Sequence, residues 1–207
     1  MDMEWVAYAT IPEDAEVKEF STKIKTTSVI LHAPFIPIIE FAKTAIQAGA
    51  NVNDGYDSSN TALEIAVLRK DYHMVKLLLE AGADVHVHND YPLRTAAQKG
   101  CTRIVDLLIQ FGANVHVDDE IALKWAITLK RIKVVELLVK ANANVHIHNE
   151  YPLMLTANYK YVNICHILLN AGANIHVACD SLRSRMQNSS ADNLMEIYQN
   201  WLALKKK

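Results

Sequence analysis

Leu77-Leu78-Leu79-Glu80-Ala81-Gly82-Ala83-Asp84-Val85 decides how the rest of this 207-residue chain is read, because both halves of it return in register. The second half has an upstream counterpart in Gly49-Ala50-Asn51-Val52. Downstream it returns as Gly112-Ala113-Asn114-Val115, Asn142-Ala143-Asn144-Val145 and Gly172-Ala173-Asn174-Ile175. The first half returns as Leu107-Leu108-Ile109, Leu137-Leu138-Val139 and Ile167-Leu168-Leu169. Gly49 to Gly82 is a step of 33 residues, and each later step is 30. Two motifs held in phase over so many copies define a repeat, and a repeat of this period means stacked supersecondary units.

Each unit reads as two helices and a turn. In the unit from Gly82, Pro92-Leu93 opens the first helix, where proline sacrifices no hydrogen bond. Ala96 and Ala97 give that helix a thin face for close packing, and Gly100 ends it by accepting the left-handed conformation. The second helix runs from about Thr102 to Phe111, with Ile104, Val105, Leu107 and Leu108 on its buried side. One such pair cannot bury its apolar face alone; stacked pairs share a continuous core.

The order G-A-[DN]-V, then [PA]-L-x-x-A, then V-x-L-L resembles the ankyrin repeat over roughly Ser28 to Leu204. The resemblance implies an all-α ankyrin-repeat solenoid of helix-turn-helix units with helical caps. The unit from Gly49 has full family length, with Thr61-Ala62-Leu63 where the family has Thr-Pro-Leu-His. Later units lose three residues between His86, His116 or His146 and the helix start, where the family forms a projecting β-hairpin finger. Shortened, blunt fingers are therefore expected. Thirty-residue units with starts such as Asn89-Asp90-Tyr91-Pro92-Leu93-Arg94 look most like those of giant amoeba viruses, with bacterial effectors a second candidate source.

The chain also departs from the family. The helix-ending glycine is kept only at Gly100, and Lys70, Lys130 and Lys160 stand at the equivalent places. Keeping left-handed geometry at a non-glycine costs roughly 1 kcal/mol per site. The family's Thr-His pair, which ties the turn down, is absent. Glu64, Arg94, Lys124 and Met154 occupy the histidine position, so weaker turns are expected.

The expected organisation is a flanking segment over 1–26, a repeat domain over 27–204 and a basic tail over 205–207. Within the domain an amino-terminal cap covers 27–48, repeats cover 49–81, 82–111, 112–141 and 142–171, and a carboxy-terminal cap covers 172–204. Ile38 to Ala48 reads as the second helix of the first cap, after a degraded first helix at Thr27 to Pro34. Val17, Phe20 and Ile24 suggest a short amphipathic helix in the flanking segment. Met195, Ile197, Tyr198, Trp201 and Leu202 make one stripe of a final helix, started by Ser189 or Ser190.

A formal net charge of −2 gives no electrostatic reason to expect nucleic acid. Cys101, Cys165 and Cys179 are an odd set without a C-x-x-C pair, which points away from a disulfide framework and toward a reducing compartment. The start of the chain carries Asp2 and Glu4 and lacks the pattern of a signal peptide. No uncharged apolar run approaches the roughly 18 residues of a membrane span. The expectation is a cytoplasmic monomer, in a host cytoplasm or nucleus if the viral resemblance holds, without cofactor and without nucleic-acid or membrane partners.

His86, His116, His146 and His176 recur at one place, with His88 and His148 two residues after the first and third. Stacked helical layers lie roughly 10 Å apart, whereas zinc needs ligand nitrogens at about 2.0–2.1 Å. The ladder therefore reads as inter-repeat structure, with histidine making the turn-to-turn backbone contact that asparagine makes in the family. Cys101 stands at a helix start, but nothing places a base and an oxyanion site beside it, so no catalytic residue is assigned.

The turns are acidic: Asp54, Asp57, Asn89-Asp90, Asp118-Asp119-Glu120 and Asn149-Glu150. Carboxylates before a helix also have an ordinary role against its dipole. The first helices end in Leu68-Arg69, Gln98-Lys99, Thr128-Leu129 and Asn158-Tyr159, positions that by resemblance line a concave groove. Arg69, Lys99, Leu129 and Tyr159 are the expected partner contacts, with His88, Asp118 and His148 at the rim. Trp125 reads either as a contact or as inter-repeat packing. The expected function is non-catalytic binding of a protein partner. Alternatives are an adaptor for a ubiquitin ligase and a metal- or ligand-binding histidine ladder.

Overall fold

The protein is described by a computed structural model covering residues 38–54 and 60–206. The expected segment 1–26, the degraded helix at Thr27 to Pro34 and Asp57 lie outside these residues. The chain divides into two compact units, Met1–Asp84 and Val85–Lys207. Among the described residues every regular element is a helix.

The first unit holds α1 (Ile38–Gln47), α2 (Ala62–Leu68) and α3 (Tyr72–Glu80). Thr61 and Glu64 form a reciprocal capping box at the start of α2: Thr61 Oγ1 accepts the Glu64 N–H, and Glu64 Oε2 accepts the Thr61 N–H at 2.7 Å. This restores the tie expected to be missing with the family's Thr-His pair. Asp71 caps α3 through the Met74 N–H at 3.1 Å. Leu63, Met74, Val75 and Leu78 fill the space between α2 and α3, all essentially inaccessible.

The second unit holds α4 (Val87–Lys99), α5 (Thr102–Gln110), α6 (Val117–Thr128), α7 (Ile132–Lys140), α8 (Ile147–Tyr159), α9 (Val162–Asn170), α10 (Ile175–Ser184) and α11 (Asn188–Lys205). Helices α4, α6, α8 and α10 pack side by side as one layer; α5, α7, α9 and α11 form the other. Alanines 96, 97, 122, 126 and 157 are buried, so the first layer comes together through small side chains. Leu108, Leu138 and Leu168 repeat at one position and are fully buried between the layers. Each such side chain contributes about 1.5–3 kcal/mol through loss of contact with water.

Helices α4, α6 and α8 do not run straight from their first residue. Three successive residues, His88-Asn89-Asp90, Asp118-Asp119-Glu120 and His148-Asn149-Glu150, have φ between 46° and 66°. The right-handed part of α4 therefore begins at Tyr91, which puts Pro92 in the first turn as expected. These left-handed turns take the place of a hairpin finger, and they are as blunt as the shortened sequence implies. Asp, Asn and His tolerate this region better than most residues.

At the other end of the first helices, Gly100 has φ 72°, and Lys130 and Lys160 have φ 55°. Gly100 is favoured twice over, since its φ suits glycine and a Cβ there would lie 2.7 Å from Arg131 Cδ, forcing that side chain to shift. The last helix departs from expectation in two details. It starts at Asn188 with no side-chain cap, so Ser189 and Ser190 lie inside its first turn. Its most buried residues are Ala191, Leu194 and Ile197, while Met195, Tyr198, Trp201 and Leu202 flank them at the edge.

Candidate functional site

The right-handed part of α8 runs from Tyr151 to Tyr159, about 12 Å at 1.5 Å per residue. The sequence-predicted contacts of the second unit sort to the two ends of such helices. His88, Asp118 and His148 lie in the left-handed turns, while Lys99, Leu129 and Tyr159 lie at the helix ends. Trp125 stands between them on α6. Arg69 belongs to the first unit, where it forms the exposed C-cap of α2.

The turn edge is laced across repeats. Asp118 accepts from Asn89 Nδ2 and from the Arg94 guanidinium, each at 2.9 Å. Arg94 also donates to the His88 carbonyl at 3.0 Å, and His148 Nε2 lies 3.5 Å from Asp119 Oδ2. Arg94 thus supplies a turn tie at the position where the family has histidine. By sequence it is only a departure from the family pattern, because its two acceptors are six and 24 residues away and no local pattern links them.

His86, His116 and His146 each pair with a carboxylate of their own turn. In the first unit Asn53 bridges turns as the family's asparagine does, donating to the Gly82 carbonyl at 3.1 Å and accepting the Asp84 N–H at 2.7 Å. His86 follows Asn53 by one 33-residue step, yet its Nδ1 lies 3.1 Å from Asp90 Oδ1. It is Asp90 Oδ1 that accepts the Asn114 N–H of the next repeat, at 2.8 Å. His116 pairs with Glu120 at 2.5 Å and His146 with Glu150 at 2.6 Å, the carboxylates buried and the imidazoles half-exposed. Histidine therefore holds a carboxylate, and in the first of these repeats the carboxylate crosses the interface. His176 lies in α10 with its ring edge-on to Tyr198.

The helix-end edge carries the exposed apolar surface. Trp125 and Leu129 are each 38% exposed and Tyr159 is 46% exposed, while Lys99 is half-buried. Tyr159 stacks on Tyr161, with ring centroids 5.3 Å apart and planes 19° from parallel. Beside Tyr161 a shallow cleft of about 190 Å³ is lined by Ile132, Val162 and the stems of Lys130 and Lys160. Tyr161, Val162 and the two lysines are not among the sequence-predicted contacts. The signal that points to them is the replacement of glycine by lysine at two consecutive repeats.

Burial pushes the Cys165 thiol up to about 11, and burial likewise raises Cys179 against the opposing pull of Arg183. Both stay protonated thiols at neutral pH. Among the described residues no group of three His, Cys, Asp or Glu side chains is arranged to hold a metal ion. None of their helices is long and apolar enough to cross a membrane.

Paired antiparallel helices repeating at 30 residues, with exposed large side chains at the ends of one layer, define a repeat scaffold for protein–protein interaction. The chain belongs to the ankyrin-repeat family. The description "Ankyrin repeats (3 copies)" matches residues 86–149, and "Ankyrin repeat" matches 58–90 and 148–180. Among solved structures, the chain is similar to an ankyrin repeat domain from Acinetobacter baumannii AYE. That similarity has 30% identity and a TM-score of 0.60, covering 66% of this chain and 77% of that one. No curated protein sequence matches the chain. Ankyrin repeats are in general scaffolds for protein–protein interaction, and this chain is such a module.

Proposed function

We propose that the inner-helix face of the second unit holds a protein partner, with Trp125, Leu129 and Tyr159 as apolar anchors and Lys99 beside them. The observation that carries this reading is the exposure of three large side chains on two consecutive repeats, flanked by a core in which Leu93, Leu123 and Leu153 are inaccessible. Large aromatic and aliphatic groups left open to water lose solvent contact on binding, and such residues dominate interface energetics. His88, Asp118 and His148 rim this face at its turn end. Asp118 and His148 already bond to neighbouring repeats, so they favour orientation over strength. Arg69 is a further proposed contact, on the first unit.

The test is isolation of the partner with the full chain as bait, followed by titration calorimetry with Trp125→Ala and Leu129→Ala combined. Loss of about 2 kcal/mol or more of affinity with an unchanged circular dichroism spectrum supports the face. Affinity within error of the parent chain removes it. A role directed at host proteins rests on repeat length and turn sequence, and stands only if the isolated partner is a host protein. The cytoplasmic location is part of the same proposal, and imaging of the tagged chain tests it.

A further inference from the structure

The two edges of the second unit carry opposite charge. Asp90, Asp118, Asp119, Glu120 and Glu150 all lie in the left-handed turns. At the inner-to-outer helix turns, residues 98–105, 128–135 and 158–165 contain no carboxylate, and Lys99, Arg103, Lys130, Arg131, Lys133 and Lys160 gather there. Asp106 and Glu136, one turn further along α5 and α7, are the nearest acids in sequence on those helices.

These turns touch one another, so the cations form one continuous edge. Arg131 Nε donates to the Gln98 carbonyl at 3.2 Å, and Lys130 Nζ lies 5.3 Å from the centroid of the Tyr161 ring. Among the described residues, Lys99, Lys130, Arg131, Lys133 and Lys160 form no ion pair. Helices α5, α7 and α9 begin here at Cys101, Arg131 and Tyr161 without side-chain caps, which adds the positive ends of three dipoles.

A second observation is independent of charge. Lys130 and Lys160 are held in the left-handed region, where glycine would relieve roughly 1 kcal/mol at each site. At the equivalent Gly100 a Cβ would lie 2.7 Å from Arg131 Cδ, so the Arg131 side chain would have to shift. Lys70 in the first unit has the same conformation, and Met186 takes it after α10. Strain of this kind persists where the side chain is used.

We propose that this basic edge docks an acidic segment of the protein partner, with an apolar side chain of that segment entering the cleft at Tyr161. The proposal rests on the inner-helix reading of the second unit and names the chemistry of what binds there. A protein segment fits better than a nucleic-acid strand. A single-strand reader offers a row of open ring faces, whereas Tyr161 is stacked on Tyr159 and lies under Lys130.

The test uses the full chain and fluorescence anisotropy at low ionic strength. The probe is a fluorescein-labelled glutamate-rich peptide with one central phenylalanine, compared with labelled oligothymidylate. The parent chain is expected to bind the peptide more tightly than the oligonucleotide. Lys130→Gly with Lys160→Gly should weaken peptide binding about tenfold or more while raising the unfolding midpoint. Lys130→Gln with Lys160→Gln, which leaves the backbone as it is, should weaken binding similarly. No binding by the parent chain, unchanged affinity in both double variants, or preference for the oligonucleotide overturns the proposal. Against the isolated partner, Lys130→Gln with Lys160→Gln and Trp125→Ala with Leu129→Ala separate the two ideas. If only the apolar pair loses affinity, the acidic-segment inference fails and the inner-helix reading stands.

Discussion

Replacing Asp90 by alanine removes one of the acceptors that join the first two repeats of the second unit. Asp90 is 3% exposed, and its Oδ1 takes the Asn114 N–H at 2.8 Å. A hydrogen bond to a charged group contributes about 1.5–3 kcal/mol. The half-exposed His86 pair adds no more than about 1 kcal/mol. Asp90 also sits at φ 51°, a conformation alanine adopts less readily, which adds a further fraction of a kcal/mol. The total is about 3 kcal/mol, or roughly 10 °C in the unfolding midpoint of a chain this long. Two variants isolate the bond. Asp90→Asn keeps an oxygen for Asn114 and tolerates the left-handed backbone, so it should lose less than about 1 kcal/mol. Asp119→Ala shares the backbone conformation, at φ 53°, but its side chain is 72% exposed and lies 3.5 Å from His148 Nε2. It too should lose less than about 1 kcal/mol. Urea unfolding followed by circular dichroism measures all three. If Asp90→Ala is no worse than Asp119→Ala, or if Asp90→Asn equals Asp90→Ala, the inter-repeat role of this carboxylate is refuted.

Other outcomes follow from single features. Lys70→Gly, at φ 60° in the first unit, should stabilise by roughly 1 kcal/mol, whereas Asn142→Gly at φ 64° should gain only a few tenths because asparagine tolerates that region; thermal melts compare them. Thr61→Ala breaks the capping box and should cost about 1 kcal/mol in urea unfolding. Leu138→Ala opens a cavity in a fully buried site and should cost about 2–5 kcal/mol by the same measurement. Burial holds Cys165 near 11, so its thiolate fraction at pH 8 is on the order of one in a thousand and rises with pH. A thiol-specific chromogenic reagent should therefore leave Cys165 unmodified in the native chain at pH 8 and react with it fully in denaturant.

Much of the inner face is legible in the sequence. Lys99, Leu129 and Tyr159 share a repeat position, so periodicity alone places them together at one edge. Tyr161 and Val162 escape sequence reasoning because they read as the start of an outer helix, and their cleft exists only once Lys130 of the preceding repeat lies against them. Asp118 reads as a rim contact, and its bonds to Asn89 and Arg94 come from the neighbouring turn. The histidine ladder belongs to the turns at His86, His116 and His146, where each imidazole pairs with a carboxylate, and at Asp90 that carboxylate also reaches the next repeat. A four-residue separation from His86 to Asp90 looks unremarkable until three left-handed residues fold one back onto the other.

The repeat length, the helix pairs, the buried leucines and the left-handed positions at Gly100, Lys130 and Lys160 were determined by sequence, because each follows from the spacing of residues close along the chain. Stacking decided the rest. Which carboxylate crosses between turns, that Arg94 replaces a histidine tie, and that cations line one edge while acids line the other all depend on groups 24 to 33 residues apart. Hydrogen bonds and charge act over a few ångströms in space, and only packing of one repeat on the next brings these groups within that range.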